Sequence, residues 1–331
     1  METQTTIFEY ISPTFKIDKH VRLIEMFAGI GSQAKALKNL GVDFEHWKVI
    51  EFDQHAIDSY NAIHGTQFQT SDIRNVHAAD LELVEREREL YILTYSFPCQ
   101  DLSLAGNGKG MKKGSGTRSG LLWEVERILD ECEGELPQVL LMENVPQVIG
   151  KKNIEDFQLW RDKLEKLGYS NYVQLLNAKD YGIPQNRERC FMVSILGDWN
   201  YGFPAKQPLK LRLKDLLEES VDDKYTLSKS LVEYFVKNTE KQRERGNGFK
   251  FETVNERQIG KTITTNPVRM DNNFIAIPEN TKKGFAVARG GDGVYVNRPH
   301  QKRGTVQRGM IPTLKTSVND IGVVIDEEDT N

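Results

Sequence analysis

Three residues have the types and settings that covalent and acid–base chemistry needs: Cys99, Glu143 and Arg189. Cys99 lies in YSFPCQDLSLAG, after an apolar run and before a Gly/Lys-rich loop. A packing thiol sits inside a periodic apolar segment, whereas catalytic groups of α/β folds collect at strand ends. Glu143 follows the run VLLM in MENVPQV. A carboxylate there sits in a low-dielectric place, which allows a protonated, hydrogen-bond-donating carboxyl; the alternative is a strand-end acid that caps a turn. Arg187 and Arg189 stand two apart in QNRER and share one face of an extended segment. That pair suits gripping an anion or a base edge, with ordinary surface solvation as the alternative. Cys132 and Cys190 fall within helix-like and strand-like segments and read as packing residues.

A second group surrounds a turn. FAGIGSQ (27–33) follows a predicted strand and opens a predicted helix, so Gly29 and Gly31 allow a tight turn and bring free helix N–H groups to a ligand. The alternative is a bend that uses glycine for its geometry alone. Glu51 ends the next strand about 20 residues later, where nucleoside sites put an acid on ribose hydroxyls. Asp72, in TSDIRNV, closes an expected third strand. Acids at successive edges of one sheet suit an adenosyl group better than a phosphate, which wants Lys or Arg, and no Walker lysine follows the glycines.

Such residues need a scaffold that gathers strand ends. VRLIEMFAG (21–29), HWKVIEFD (46–53), LYILTYSFP (90–98), PQVLLMENV (137–145) and RCFMVSIL (189–196) read as strands. Between them SQAKALKNLG, QHAIDSYNAIHG, LLWEVERILDECEG and IEDFQLWRDKLEKLGY carry apolar residues at helical spacing. The alternation predicts an α/β fold with a parallel, doubly wound sheet, ligands lying beyond the carboxyl ends where the Gly-rich turn, Asp53 and Cys99 fall. After Pro204 the character changes. KLRLKDLLEES reads as one more helix, and 241–315 is rich in Gly, Asn, Thr and Arg with short β-like pieces. TITTNPVRMDNNFIAI and PTLKTSVNDIGVVI look loosely alike, and a smaller β-rich domain beginning near 205–225 is expected.

Composition narrows the function classes. The 331 residues suit two domains. No apolar run approaches the roughly 20 residues of a membrane span, and METQTTIFEYISPTFK lacks a secretory layout, so a cytoplasmic protein is expected. Three cysteines without a CxxC pair indicate neither a disulfide framework nor a zinc site. The net charge of −4 conceals a polarity: 241–315 holds 15 Lys and Arg against 6 Asp and Glu, a net +9 that leaves −13 elsewhere. An enzyme with a separate nucleic-acid-facing part has this pattern, as does an ordinary basic surface.

In the order FAGIG, EFD, SDI, FPCQDLS, ENV and QNRER, the chain from about 22 to 200 resembles the cytosine-C5 DNA methyltransferase family of bacterial or phage type. The resemblance implies a Rossmann-like, S-adenosylmethionine-dependent catalytic domain over 1–205 and a target recognition domain over 206–331, incomplete at its C-terminus. It implies Cys99 as the nucleophile toward cytosine C6, on a base flipped out of duplex DNA. Glu143 would hold the N3/N4 edge and supply a proton toward N3, and Arg189 with Arg187 would contact the pyrimidine carbonyl. Phe27, Gly29, Gly31, Phe52 and Pro98 would line the cofactor, with Glu51 on its ribose and Asp72 with Ile73 at the adenine edge. Gln100 begins a run, reaching through GNGKGMKKGSGTRSG, that can close over substrate as a lid. Gln100 and Ser103 would touch DNA, as would Thr313 and Leu314 in the basic region.

Family members continue into segments resembling R-x-L-x-x-x-E and Gly-Asn-Ala/Ser-Val, and neither is found downstream of Arg189. The expectation is a split enzyme whose second, small polypeptide supplies them, acting in restriction-modification or phage DNA protection. A truncated or inactive DNA- or cofactor-binding chain and an RNA cytosine-C5 methyltransferase are the alternatives.

Overall fold

The computed structural model describes residues 13–102, 109–218, 227–246, 248, 250–254, 257–263, 273–275, 293–295, 306–307 and 321–323. The chain divides into two compact units, Met1–Tyr181 with Arg187–Pro208, and Gly182–Asn186 with Leu209–Asn331.

Alternation along the first strands dictates a sheet covered on both faces. In β1 (His20–Met26), Val21 and Leu23 join one buried cluster while Ile24 and Met26 join another. β3 (Glu89–Tyr95) repeats the division, with Leu90 and Ile92 on one side and Tyr91, Leu93 and Tyr95 on the other. Successive side chains of a strand point to opposite faces, so both strands belong at the sheet centre. β2 (Phe44–Ile50) flanks β1, and β4 (Val139–Asn144) flanks β3, all parallel. The crossovers are α1 (Ser32–Asn39), α2 (Gln54–His64) with the short α3 (Ala78–Leu81), and α4 (Leu122–Glu131).

Beyond β4 the expected parallel sheet gives way. The order is β2-β1-β3-β4-β7-β5, with β7 (Glu188–Leu196) antiparallel to both β4 and β5 (Tyr169–Asn177). α5 (Ile154–Lys166) crosses from β4 to β5, but only 178–187 joins β5 to β7. A parallel return needs a crossover of about a dozen residues or more, and this link is shorter, so the strand comes back antiparallel. β5 lies at the sheet edge with mostly half-buried residues, which is why YSNYVQLLN lacks the apolar run that marks a strand. No strand closes at Asp72. Its side chain caps a 3-10 turn, Ile73–Asn75, by accepting from Arg74 N, a local bond that competes with strand formation.

In the second unit the helix expected over KLRLKDLLEES shrinks, within its described residues, to a 3-10 turn at Leu213–Asp215. Asp215 accepts from Arg212 N and caps the start of this turn, and Leu213 N donates to Gln258 O. The unit has instead a 16-residue helix, α6 (Lys229–Glu244), capped by Ser228. On it buried Phe235 meets the rings of Phe251 and Phe274. β6 (Gln185–Asn186) pairs in parallel with β9 (Gly260–Lys261), and β8 (Thr253–Val254) with β10 (Phe274–Ile275). A three-stranded antiparallel sheet joins 293–295 to 306–307 and 321–323. Of the two similar segments, residues 264–272 and 312–320 lie outside the described residues, as do Ser103, Thr313 and Leu314. Among the described residues no helix is long and apolar enough to cross a membrane.

Candidate active site

Strand ends of the first unit build the site. After β1 the chain turns through Phe27 and Gly29 at φ 57° and 55°, then Gly31 at 78° opens α1. A non-glycine residue at positive φ is the kind of strain that collects at ligand sites. Gly31 is sterically required as well, because a Cβ there would lie 2.3 Å from His64 Nε2 and 2.6 Å from Tyr60 Cε2. Gly29 has open space around it. Beneath the turn, buried Glu25 accepts from Ala34 N in the first turn of α1 at 3.3 Å and from Tyr60 Oη at 2.6 Å. Burial pushes the Glu25 carboxyl above its ordinary range, against the opposing effect of those two bonds.

Glu51, at the end of β2, is the hub of the turn. Its Oε2 accepts from Gly29 N, and its Oε1 from Phe52 N and Asp53 N, each at 2.9 Å. A carboxylate offers about four acceptor positions, so one on Oε2 is left for a ligand hydroxyl. Asp72 is more committed. Both oxygens pair with the Arg74 guanidinium, and Oδ1 also caps Arg74 N. That hydrogen bonding holds the Asp72 carboxyl below its ordinary value. Reading a base edge through this carboxylate requires the largely exposed Arg74 to release it.

β3 leads through Ser96, Phe97 and Pro98 to half-buried Cys99. The segment is fastened from below: buried Asp101 accepts from Arg118 N at 2.8 Å, Ser119 Oγ donates to Pro98 O at 2.6 Å, and Gly110 N donates to Asp101 O at 3.0 Å. At the end of β4, buried Asn144 donates to Phe97 O and accepts from Val145 N, both at 2.9 Å. Because β7 runs against β4, its first residues lie beside β4's last, with Cys190 opposite Asn144 and Phe191 opposite Glu143. Arg189 Nε therefore reaches Glu143 Oε1 at 3.1 Å. Burial, then the neighbouring Arg187, lowers the Arg189 guanidinium below its ordinary value, while Glu143 and Cys99 act the other way. The Glu143 side chain is 23% exposed and ion-paired with Arg189, a partner that the run VLLM does not reveal.

One cavity of about 770 Å³ collects these groups. Cys99, Glu143, Arg187 and Arg189 line it, as do Phe27, Glu51, Phe52, Asp72, Ile73, Pro98 and Gln100. Gly29 and Gly31 shape the turn without entering the lining. Sequence reasoning missed Asp101, Ser119 and Asn144, whose bonds hold the cysteine segment, and Glu25 beneath the glycine turn. The readable signal was their polarity next to or inside segments otherwise apolar, as in LIEM and LLMENV.

Known proteins are similar to this chain in sequence and in fold. An orphan methyltransferase of Spiroplasma monobiae, M.SssI, is 37% identical over 65% of this chain and 69% of its own length. The type II methyltransferase M.NlaX of Neisseria lactamica is 34% identical over 71% of each chain. Among solved structures, the Entamoeba histolytica methyltransferase EhMeth superposes with a TM-score of 0.60 at 17% identity, covering 87% of this chain and 82% of its own. S. pombe Dnmt2 gives 0.56 at 21%, covering 73% and 70%. These two share the Rossmann-like α/β fold. The profile of C-5 cytosine-specific DNA methylases matches residues 21–312, and the chain belongs to that family.

Proposed function

We propose that this chain is a DNA (cytosine-5-)-methyltransferase that transfers a methyl group from S-adenosylmethionine to C5 of a cytosine flipped out of a specific duplex sequence. The observation that carries the reading is the meeting of Cys99, Glu143 and Arg189 in the same cavity as Phe27, Glu51 and Asp72. Cytosine C5 is a poor nucleophile. The Cys99 thiolate adds to C6 and pushes the electron pair toward C5, while Glu143 binds the N3/N4 edge and passes a proton toward N3. Arg189, with Arg187, meets the pyrimidine carbonyl and holds Glu143 in place. After C5 is methylated, loss of its proton and departure of the Cys99 sulfur restore the ring and the enzyme.

The residues present fit an adenosyl cofactor, which when bound supplies an electrophilic methyl group on a sulfonium. Glu51 Oε2 has one acceptor position left for a ribose hydroxyl, and Phe52, in the cavity lining, is 73% exposed. Ser71 is also in the lining, and its buried Oγ has no hydrogen-bond partner among the described residues, a group that a bound nucleoside can satisfy. Phe27 packs beside the adenine, and Asp72 with Ile73 takes its edge. Residues 1–205 serve as the catalytic domain and 206–331 as the target recognition domain, with Gln100, Ser103, Thr313 and Leu314 on DNA. The chain serves restriction-modification or phage DNA protection.

The test is transfer of labelled methyl groups to mixed-sequence duplex DNA, with structured RNA as a second substrate and Cys99→Ser as the control. Cys99-dependent labelling of duplex DNA is expected. Labelling that persists at the wild-type rate in Cys99→Ser removes the covalent scheme, and labelling confined to RNA removes the DNA substrate. Activity that arises only when a second, shorter polypeptide is added makes this chain the large subunit of a split enzyme.

A further inference from the structure

The stretch proposed to meet the adenine edge has little secondary structure to hold it. Between α2 and α3 its only regular element is the three-residue turn Ile73–Asn75. The Ile73 amide stands at the first position of that turn, where no acceptor exists within the turn itself. Asp72 is occupied by Arg74. Ser71 N ties its start to Glu51 O at 2.8 Å, and Ile73 and Val76 are buried; the side-chain hold on the turn's carbonyls comes from another element. Arg127 of α4 donates from Nη2 to both Val76 O at 2.8 Å and Ile73 O at 3.1 Å, spanning the turn from end to end.

Arg127 is itself held on both sides. Its Nε donates to Glu124 at 2.8 Å and its Nη1 to Glu131 at 2.6 Å, one turn before and one turn after on the same helix. The second oxygen of Glu131 then accepts from Ala78 N and meets His77 Nδ1, each at 3.1 Å. The result is a strap from α4 across 73–78, with a planar guanidinium spreading several donors in a rigid fork. Lysine has no such fork and can bridge the two carbonyls only loosely. Arg127, Glu124 and Glu131 lie outside the lining of the cavity, whereas Asp72 and Ile73 lie within it.

We propose that Arg127 is a positioning residue that sets adenine discrimination by fixing Ile73 and its neighbours against the nucleobase. This rests on the cofactor reading above and adds the residue that makes its base preference. Adenine presents an acceptor at N1 and an amino group at C6. Hypoxanthine presents an N–H and a carbonyl at those positions, so a fixed amide opposite N1 favours the first and opposes the second.

The experiment measures binding of S-adenosylhomocysteine and S-inosylhomocysteine by calorimetry to the wild type, Arg127→Lys and Arg127→Gln, with melting curves in parallel. The wild type should prefer the adenosyl compound by more than tenfold. In Arg127→Gln that ratio should fall about tenfold, chiefly through weaker adenosyl binding, while inosyl binding changes less than twofold. Arg127→Lys should lie between, and it decides the matter if the Gln variant does not fold. In methyl transfer, KM for S-adenosylmethionine should rise with kcat little changed. A variant that loses both ligands in equal proportion, or neither, overturns the inference and leaves the cofactor reading standing. A wild type that binds neither compound, or binds both alike, overturns the adenine-edge reading and the inference with it.

Discussion

Replacing Glu51 by glutamine separates two tasks that one carboxylate performs. In the structure it takes three backbone amides, from Gly29, Phe52 and Asp53, and keeps one acceptor position on Oε2. Glutamine has a single carbonyl oxygen. Turned toward Phe52 and Asp53 it keeps those two bonds, but it sets its NH₂ against Gly29 N–H and has no acceptor left for a ribose hydroxyl. A hydrogen bond to a charged group is worth about 1.5–3 kcal/mol. The lost hydroxyl bond should therefore weaken binding of S-adenosylhomocysteine about 10- to 150-fold. The lost Gly29 bond should appear separately, as a melting temperature lower by about 3–12 °C in the ligand-free protein. Calorimetry with S-adenosylhomocysteine and with its 2′,3′-dideoxy analogue closes the cycle, since the variant and the wild type should bind the dideoxy compound nearly alike. Unchanged affinity for S-adenosylhomocysteine would remove Glu51 from the site. Weakened binding with an unchanged melt would mean that Glu51 serves the ligand without holding the turn.

The two glycines of the turn should differ. Gly31→Ala combines a positive-φ penalty of about 1–2 kcal/mol with an overlap against Tyr60, which is fully buried and tied to Glu25 and His46; a further cost of about 1–3 kcal/mol is expected. Gly29→Ala meets open space and should cost only the backbone term, so equal shifts in a denaturant titration would refute the steric account. Asp101→Ala leaves the Arg118 and Ser119 amides unpaired beneath Cys99 and should lower kcat about tenfold, with Asp101→Asn restoring most of it through its remaining oxygen; a full rate in the Ala variant would show that this fastening does not place the thiol. Glu25 carries a pH signature. Its folded-state pKa is raised above the ordinary 4.5, so the native state binds more protons than the unfolded chain in the window between the two values, and this group's contribution to stability falls as pH rises through it. Relative to wild type, Glu25→Gln should gain stability across that window and then level off, and stability curves that stay parallel would contradict the assignment.

Much of the scaffold was legible because central strands buried on both faces leave continuous apolar runs, as LYILTY and VLLM do. β5 was not, since an edge strand needs no such run. The direction of β7 was not legible either, because it is set by the length of the link before it rather than by residues within it. α6 is polar along most of its length and was hidden for that reason, although Ser228 and Phe235 mark its cap and its buried face. At the site, residue type and strand-end position singled out Cys99, Glu143 and Arg189 and brought them to one cavity. What could not be read were the partners. Glu51 was expected to face a ligand and is largely engaged with backbone amides. Asp72 was expected at a strand edge and is engaged with Arg74. Arg127, 55 residues from Asp72 in sequence, acquires its part only through the packing of α4.

The chain passes between its two units three times, after Tyr181, after Asn186 and after Pro208. The peptide between the first two passages contributes β6 to the second unit, where it pairs with β9, and Arg187 follows it directly. For anyone grafting a second unit from a relative, a single junction at Leu209 would leave a native β6 facing a foreign partner strand. The natural unit of exchange is a pair of segments, 182–186 and everything from 209 onward. A chimera that replaces only the larger segment inherits a register conflict one residue away from the guanidiniums at the cavity.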